Sequence, residues 1–417
     1  MRRFALAAAL ALAGCAARGT LRDPAALVEP ATAAEPLQSI LISRPGLERL
    51  LSAAAEQRIQ IVLGLVESGA GGEPVLRQVG FRSRAEYYYP ASSIKFFAAI
   101  AALERLAQLR LDSGLAIDRD TPMALSPLFA GEMVEDADPS HLDGGTITVG
   151  HEIRKLAIVS DNEAFNRLYE VVGQDGLALS LTRAGLTEAR IVHRLAEARS
   201  AEENRRAPRV DFRGANGLYT IPERTAIALP PPPPIPGLSV GRGYLGEDGP
   251  VNEPMDFSGK NRMTLVDLQR GLCKLVRPDV ACGAGPAFRL TEDDRTFLLD
   301  AMSRLPSQSE DPRFDPAVHP DSAAKFLLPG LASAIPLGRL RLVSKYGQAY
   351  GFSTDNAWIE DRQTGRGVFL AATIYTNADG ILNDDRYDYD AVALPFFAEL
   401  GRAVGEFLAA APQPKNR

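Results

Sequence analysis

Segments with the character of β-strands lie near both ends of this 417-residue chain, and helical patterns fill its middle. The predicted strands are apolar, β-branched runs at 59–68, 73–81, 339–351, 356–361 and 367–377. The predicted helices cover 94–110, 149–172, 262–276, 291–304 and 393–411. Because strands from both ends must meet to bury their apolar faces, we predict an α+β fold. It has an antiparallel sheet built from N- and C-terminal segments and packed with helices, plus a mainly helical part.

Composition and charge exclude several classes of protein. Hydrophobic residues make up 46% of the chain and charged residues 24%, which is typical of a globular protein. The formal net charge of −6 provides no basic surface for a polyanion, so we expect no nucleic-acid partner. The four histidines, His141, His151, His193 and His319, include no pair at the three-to-five-residue spacing of a typical zinc site. We therefore predict no metal and no cofactor.

The amino terminus has the pattern of an export signal. Two arginines precede an apolar run at 4–13, which is too short to span a bilayer. The run ends at Leu12-Ala13-Gly14-Cys15, which resembles the lipobox of bacterial lipoproteins, where the cysteine becomes the lipidated first residue. An ordinary signal peptide with an incidental cysteine is the alternative. The pattern predicts a signal peptide at 1–14 and a lipid on Cys15 that anchors the protein to a membrane, on the periplasmic face of a bacterial cell envelope.

The remainder of the chain is predicted to be a tether followed by one large domain. Residues 15–35 are rich in Ala, Pro and Glu, as expected of a tether. The domain is expected to span 36–410, and a stretch dense in Pro and Gly at about 205–260 predicts an irregular insertion. In an oxidising, exported context Cys273 and Cys282 either close a small disulfide loop or remain buried thiols.

The apolar run 94–103 contains a single charged residue, Lys95, three positions after Ser92. Residues three apart share a helix face, so a helix that begins here places the lysine amine near the serine hydroxyl. Desolvation favours the neutral amine, which can act as a base for the serine, and the helix N-terminus adds N–H donors. The pattern alone is weak, because Ser92 would also suit a helix N-cap. Ser322 and Lys325 have the same spacing without an extended apolar helix behind them.

Two further motifs follow the first in chain order. Ser160-Asp161-Asn162 lies within the second helical pattern, and Lys345-Tyr346-Gly347 lies on a predicted strand. S-x-x-K, S-D-N and K-T-G occur together in class A β-lactamases and penicillin-binding proteins. With the sequence that flanks these motifs, the chain resembles the class A β-lactamase-like, penicillin-recognising serine hydrolases over roughly residues 50–400, less the insertion. The resemblance implies the β-lactamase/transpeptidase-like form of an α+β fold.

The resemblance implies catalytic roles for particular residues. Ser92 would be the acylated nucleophile, Lys95 its base or proton relay, and Ser160 the group that passes a proton to the leaving nitrogen. Class A enzymes also carry a glutamate, closely followed by an asparagine, that positions the hydrolytic water. Glu197 lies at about the right distance after Ser160, but the usual spacing to an asparagine is missing. A solvated charged loop is the alternative for Glu197. Glu202 and Glu203 are further candidates, and Asn204 is the only asparagine nearby.

The resemblance also implies substrate-binding residues. Asn162 would hold the substrate amide, Lys345 would attract the substrate carboxylate, and Gly347 and Gln348 would complete this part of the site. The backbone N–H groups of Ser92 and Gln348 would form the oxyanion hole. Tyr346 replaces the hydroxyl residue of K-T-G, and this puts the contact with a substrate carboxylate in question.

Together these features predict a lipid-anchored serine hydrolase. It would form an acyl-serine with β-lactams or related amides and esters and then hydrolyse that intermediate. The first alternative is a penicillin-binding carboxypeptidase or transpeptidase that acts on peptidoglycan peptides. The second alternative is a non-catalytic binding lipoprotein of the same fold. The expected partners are a small-molecule or peptide substrate and, through the lipid, a membrane.

Overall fold

The structure, a computed structural model, describes residues 35–410. The predicted signal peptide, Cys15 and nearly all of the predicted tether lie outside the described residues. The helices are α1 (Leu37–Ile42), α2 (Pro45–Ser52), α3 (Lys95–Ser113), α4 (Val149–Ile158), α5 (Asn162–Val172), α6 (Gln174–Arg183), α7 (Leu265–Val276), α8 (Glu292–Ser303), α9 (Leu328–Ala334) and α10 (Leu394–Ala410). Within 35–410, no helix has both the length and the apolar character needed to cross a bilayer.

The strands group into one large sheet and several small ones. They are β1 (Gln60–Ser68), β2 (Pro74–Phe81), β3 (Pro122–Leu125), β4 (Ile147–Thr148), β5 (Arg206–Ala207), β6 (Val210–Gly214), β7 (Gly217–Ile221), β8 (Arg224–Thr225), β9 (Ser239–Val240), β10 (Gly243–Gly246), β11 (Gly249–Val251), β12 (Met255–Asp256), β13 (Leu340–Ala349), β14 (Phe352–Asp361), β15 (Arg366–Tyr375) and β16 (Ile381–Leu382).

The large sheet joins the two ends of the chain. Its strand order is β13-β14-β15-β1-β2, and every neighbouring pair is antiparallel. β1 from the amino-terminal half pairs with β15 from the carboxyl-terminal half, with Leu63 opposite Leu370. The predicted α+β fold with an antiparallel sheet of N- and C-terminal segments is therefore confirmed.

Buried apolar side chains cover both faces of this sheet. Val62 and Leu63 are neighbours on β1 but belong to different clusters, because successive strand side chains point to opposite faces. Val62 packs with the cluster that includes α3, α5 and α7, whereas Leu63 packs with the cluster that includes α10. The sheet is thus a middle layer with helices on each side, and β13 extends the sheet toward the N-terminal end of α3.

The helical part is built around α3. Every residue from Lys95 to Leu103 is buried, so this first half of α3 forms the centre of a core rather than an amphipathic surface helix. The single helix predicted at 149–172 is instead two helices, α4 and α5. Between them Ser160 has a left-handed φ of +63°. Asp161 then caps α5, because its side chain accepts a hydrogen bond of 2.8 Å from the Ala164 N–H.

The segment predicted as an irregular insertion, about 205–260, contains the short strands β5 to β12. β6 and β7 form a hairpin that extends β4 and β3 into a four-stranded sheet. β10 pairs with β11 and lies parallel to β16 near the end of the chain. The longest part of this segment without regular structure is the proline-rich stretch between β8 and β9. Of the two states left open for Cys273 and Cys282, the structure has the disulfide.

Candidate active site

Ser92 lies in a 3₁₀ turn, Ala91–Ile94, that leads directly into α3. Ala91 has a φ of +46°, a conformation that residues other than glycine rarely adopt. Ser92 is half-buried, whereas the Lys95 side chain at the start of α3 is fully buried. The structure therefore places Ser92 at the N-terminal end of a buried helix, as predicted.

The Lys95 amine is enclosed by the loop between α4 and α5. Its Nζ donates hydrogen bonds to Asn162 Oδ1 at 2.7 Å, to the Asp161 carbonyl at 3.0 Å and to the Ser160 carbonyl. Within residues 35–410, the Ser92 hydroxyl makes no hydrogen bond to this amine. Burial lowers the pKa of Lys95 to about 7, against an opposing effect of the Asp161 carboxylate. Near neutral pH a substantial fraction of the amine is therefore unprotonated.

A second lysine, on the large sheet, contacts Ser160. Lys345 on β13 is fully buried, and its Nζ donates hydrogen bonds to Ser160 Oγ at 2.8 Å and to the Tyr346 carbonyl at 2.9 Å. The Lys95 Nζ lies 3.5 Å from the same Ser160 Oγ. Burial holds the pKa of Lys345 well below its ordinary value, and the positive charges of Lys95 and Lys325 lower it further. The Ser160 hydroxyl therefore connects two lysine amines.

Strand β13 also lies directly against the turn that carries Ser92. A Cβ atom added to Gly347 would lie 2.5 Å from the Ser93 nitrogen, 2.6 Å from the Ser92 nitrogen and 2.7 Å from the Pro90 carbonyl oxygen. All three are backbone atoms, so a side chain at this position has no room. The absence of a side chain at Gly347 is thus what allows β13 to approach Ser92, and Gln348 next to it lines the same cleft as Ser92.

Tyr346 on β13 is the residue that departs from K-T-G, and it packs against Phe326 and the Lys345 amine. Its ring lies 4.8 Å from the ring of Phe326 and 4.3 Å from the Lys345 Nζ, both measured to the centroid of the Tyr346 ring. Burial raises its pKa to about 12, so the hydroxyl stays protonated at neutral pH. Tyr346 lines the cleft next to Gln348 and gives this wall an aromatic surface in place of a short hydroxyl side chain.

The cleft has a volume of about 770 Å³ and lies between the helical part, the sheet and the insertion. Its lining brings together Ser92, Ser160, Asn162, Glu197 and Gln348, with Tyr244 from the insertion. Eight described residues other than glycine have a positive φ, and five of them line this cleft. These five are Ala91, Ser160, Ala196, Tyr350 and Asn383. Unusual backbone conformations cost free energy and persist only where the surrounding structure stabilises them, and they are concentrated at functional sites.

Glu197 reaches the cleft from the loop that follows α6. Asn166 donates a hydrogen bond of 2.8 Å to Glu197 Oε1, and Arg199 donates one of 3.3 Å to Oε2. The Glu197 side chain remains 37% exposed, so water can reach the carboxylate. Glu203 instead accepts a hydrogen bond from the Ser200 N–H, and Asn204 is buried and braces the loop. Among Glu197, Glu202 and Glu203, only Glu197 lines the cleft.

The sequence analysis missed a buried carboxylate and a further buried lysine near Lys345. Asp355 on β14 lies opposite Tyr346, and its carboxylate interacts electrostatically with Lys345 and Lys325. Burial raises the pKa of Asp355 to about 6 and lowers that of Lys325 to about 8. One signal was available, because Lys325 is the only charged residue in the run 322–338. Ser322 is exposed, and Lys325 donates to the Ser344 hydroxyl instead, so their matching spacing forms no site.

Comparison with known proteins adds a family likeness to this geometry. Residues 76–224 match the model of the Beta-lactamase enzyme family, and this region contains Ser92, Lys95, Ser160, Asn162 and Glu197. The matched region is roughly a third of the chain and does not include Lys345, which the fold brings to Ser160. The central part of this chain is therefore similar to β-lactamase enzymes.

Similar solved structures include a β-lactamase from Desulfarculus baarsii, which is 17% identical with a TM-score of 0.46 over 87% of this chain and 97% of that one. Another is a β-lactamase from Burkholderia ambifaria, 18% identical with a TM-score of 0.46 over 87% of this chain and 99% of that one. A search of curated proteins found no significant match.

Proposed function

We propose that this protein is a serine hydrolase that forms an acyl-enzyme on Ser92 with β-lactams or related amides and esters and then hydrolyses it. The observation that carries the proposal is the Lys95–Ser160–Lys345 hydrogen-bonded array next to Ser92. It places two buried amines of lowered pKa on one serine hydroxyl. Burying two lysines is costly, and a protein that only binds a ligand gains nothing from two amines arranged in this way.

In the first step the Ser92 oxygen attacks the carbonyl carbon of the substrate. The neutral Lys95 amine accepts the Ser92 proton, and the N–H groups of Ser92 and Gln348 stabilise the oxyanion. When the carbon–nitrogen bond breaks, Ser160 gives its hydroxyl proton to the leaving nitrogen and regains one from a neighbouring lysine. The relay needs an oxygen in contact with both amines, and Ser160 Oγ lies 3.5 Å from Lys95 Nζ and 2.8 Å from Lys345 Nζ.

Substrate binding uses the remaining polar groups. Asn162 is exposed and lines the cleft, and its Oδ1 accepts from Lys95, so its Nδ2 is left to donate to a substrate carbonyl. An incoming carboxylate raises the pKa of Lys345, because an anion close to a buried amine favours the charged form. Lys345 thus becomes positively charged when a substrate carboxylate binds.

Labelling tests the acyl-serine directly. The full chain is incubated with a fluorescent penicillin, and intact mass is recorded alongside turnover of a chromogenic cephalosporin. Wild-type protein and Ser322→Ala, which alters the exposed serine with the same motif spacing, are expected to gain one adduct. Ser92→Ala is expected to gain none. An adduct that persists on Ser92→Ala contradicts the assignment of the nucleophile.

Hydrolysis of the acyl-enzyme requires a base for water, and we assign that role to Glu197. Glu197→Gln is expected to acylate normally and to deacylate about 10²–10⁴-fold more slowly, the usual contribution of general-base catalysis. Adduct lifetime by intact mass is the measurement. Glu203→Gln is the matched control, since Glu203 is held by Ser200 and does not line the cleft. Equal deacylation rates in Glu197→Gln and wild type would remove Glu197 from the mechanism.

One observation favours the penicillin-binding alternative. Both Glu197 oxygens accept hydrogen bonds, from Asn166 and Arg199, so fewer lone pairs are left for a water molecule. Under this alternative the wild-type adduct is itself long-lived and Glu197→Gln changes nothing. The natural reaction would then be transfer or trimming of peptidoglycan peptides. The same experiment therefore decides between the two activities.

We further propose that the protein acts in the bacterial cell envelope, on the periplasmic face, anchored to a membrane through a lipid on Cys15. The support is the export pattern of the first residues together with the Cys273–Cys282 disulfide, a bond that persists in oxidising compartments.

A further inference from the structure

Three metal-ligating side chains from separate parts of the chain converge away from the cleft. His141 lies in the loop between β3 and β4, His151 in the first turn of α4, and Asp311 in the segment after α8. Their ligand atoms all lie within 4.8 Å of one another. The two imidazole rings are stacked with centroids 4.4 Å apart. The histidines are ten residues apart in sequence, so a search for closely spaced pairs does not find them.

Hydrogen bonds fix which nitrogen of His151 carries the proton. The Ser140 hydroxyl donates to Asp138 Oδ1 at 2.7 Å, so Ser140 Oγ accepts from His151 Nε2 at 2.9 Å. The proton therefore sits on Nε2, and Nδ1 presents a lone pair. His151 is fully buried, and within residues 35–410 its Nδ1 has no hydrogen-bond partner. That nitrogen lies 3.8 Å from Asp311 Oδ1.

His141 is held in the complementary way. Its Nδ1 donates a hydrogen bond of 2.7 Å to the Thr146 carbonyl, so its Nε2 also presents a lone pair. This Nε2 lies 3.8 Å from Asp311 Oδ2. The remaining contact of the carboxylate is a hydrogen bond of 3.0 Å that Asp311 Oδ1 accepts from the Leu142 N–H. Each of the three ligand groups is thus oriented by a partner outside the cluster, as is usual around metals.

Without a cation this arrangement is unfavourable. Each of the two nitrogens with a free lone pair lies 3.8 Å from an oxygen of the Asp311 carboxylate, which is too long for a hydrogen bond. The neighbouring carboxylates differ from that of Asp311, because they already have cationic partners. Asp138 pairs with Lys155, and Glu152 pairs with Arg167.

We propose that His141, His151 and Asp311 bind one divalent zinc ion that holds the β3–β4 loop, α4 and the segment after α8 together. Two imidazoles and a carboxylate suit zinc, with water as a fourth ligand. Zinc–ligand bonds of about 2.0–2.1 Å put tetrahedral ligands roughly 3.4 Å apart. The two 3.8 Å separations run to different oxygens of Asp311 and the imidazole rings are stacked, so the side chains must reorient when the ion binds. The Asp311 side chain is 26% exposed, which leaves a path for water and ion.

Zinc binding to the metal-free full chain tests this proposal. Competition with a chromogenic chelator gives stoichiometry and affinity, and substitution with Co²⁺ gives a visible spectrum typical of tetrahedral coordination. Wild type is expected to bind one equivalent. His141→Ala and Asp311→Asn alter partly exposed side chains and are expected to weaken zinc binding at least about 100-fold. Loss of a residue that only hydrogen-bonds to a metal ligand already costs about 10–100-fold in affinity. Zinc is expected to raise the melting temperature of wild type but not of either variant.

Two controls make the test specific. His319→Gln removes a histidine outside the cluster, and Cys15→Ser removes the cysteine that is outside the disulfide. Both are expected to bind zinc as tightly as wild type. The proposal is overturned by absence of stoichiometric binding in wild type, by wild-type affinity in Asp311→Asn, or by loss of binding in Cys15→Ser.

Discussion

At the scale of single residues, a lysine that is the only charged residue in an apolar run indicated a buried amine in two places. Lys95 and Lys325 are each the only charge in such a run, and both are buried with a lowered pKa. The pattern indicates a desolvated amine but not its neighbours, which come from distant segments. The position of Ser160 near Lys95 was predicted because Ser160 belongs to a recognisable motif. The position of Asp355 near Lys325 was not predicted, because no local pattern links residues thirty apart on separate elements.

The lowered pKa of Lys95 gives a pH prediction for acylation. Under the proposed mechanism the neutral amine is the active form, so the acylation rate should rise about tenfold per pH unit below 7 and level off above it. Lys95→Arg keeps a positive charge that does not titrate in this range. It should acylate about 10²–10⁴-fold more slowly and lose the inflection. Single-turnover labelling between pH 5 and about 9 measures both effects, and an inflection that survives in Lys95→Arg would assign the base elsewhere.

At the scale of elements, hydrophobic periodicity predicted the long helices and strands but missed the break within the helical pattern at 149–172. The main strands and α3, α7 and α8 lie where apolar patterns placed them. The pattern at 149–172 continues through Ser160 because both α4 and α5 bury their apolar faces. The left-handed Ser160 and the Asp161 cap break the helix, and tertiary hydrogen bonds from two lysines stabilise that break. The short strands of the insertion depend on pairing with distant segments such as β16.

The contact between β13 and the Ser92 turn can be tested by a single methyl group. Gly347→Ala forces a Cβ to within 2.5–2.7 Å of three backbone atoms, so β13 or the turn must move. We expect a loss of roughly 1–3 kcal/mol in the free energy of unfolding, the usual cost of overpacking, and at least about 100-fold slower acylation. Gly338→Ala is the matched control, because a Cβ there meets nothing within 4 Å. Similar stability and acylation in both variants would show that the close approach is unimportant.

At the scale of the whole molecule, the candidate site exists only because the sheet joins the two ends of the chain. Lys345 is 185 residues from Ser160, yet its Nζ lies 2.8 Å from the Ser160 hydroxyl. Motif order was enough to predict that these residues meet. It was not enough to predict that the insertion, through Tyr244 and its neighbours, forms a wall of the same cleft. Elements without a motif are positioned by packing and pairing that a sequence does not display.

The location of the whole molecule is the last prediction. A lipid on Cys15 would hold the protein on a membrane, since each buried methylene contributes about 0.8 kcal/mol. We expect wild type in the membrane fraction after cell fractionation and Cys15→Ser in the soluble fraction or unprocessed. Cys282→Ser alters a cysteine of the folded domain and should leave the protein on the membrane. Unchanged mass and membrane association of Cys15→Ser would instead mean an ordinary export signal and a different mode of attachment.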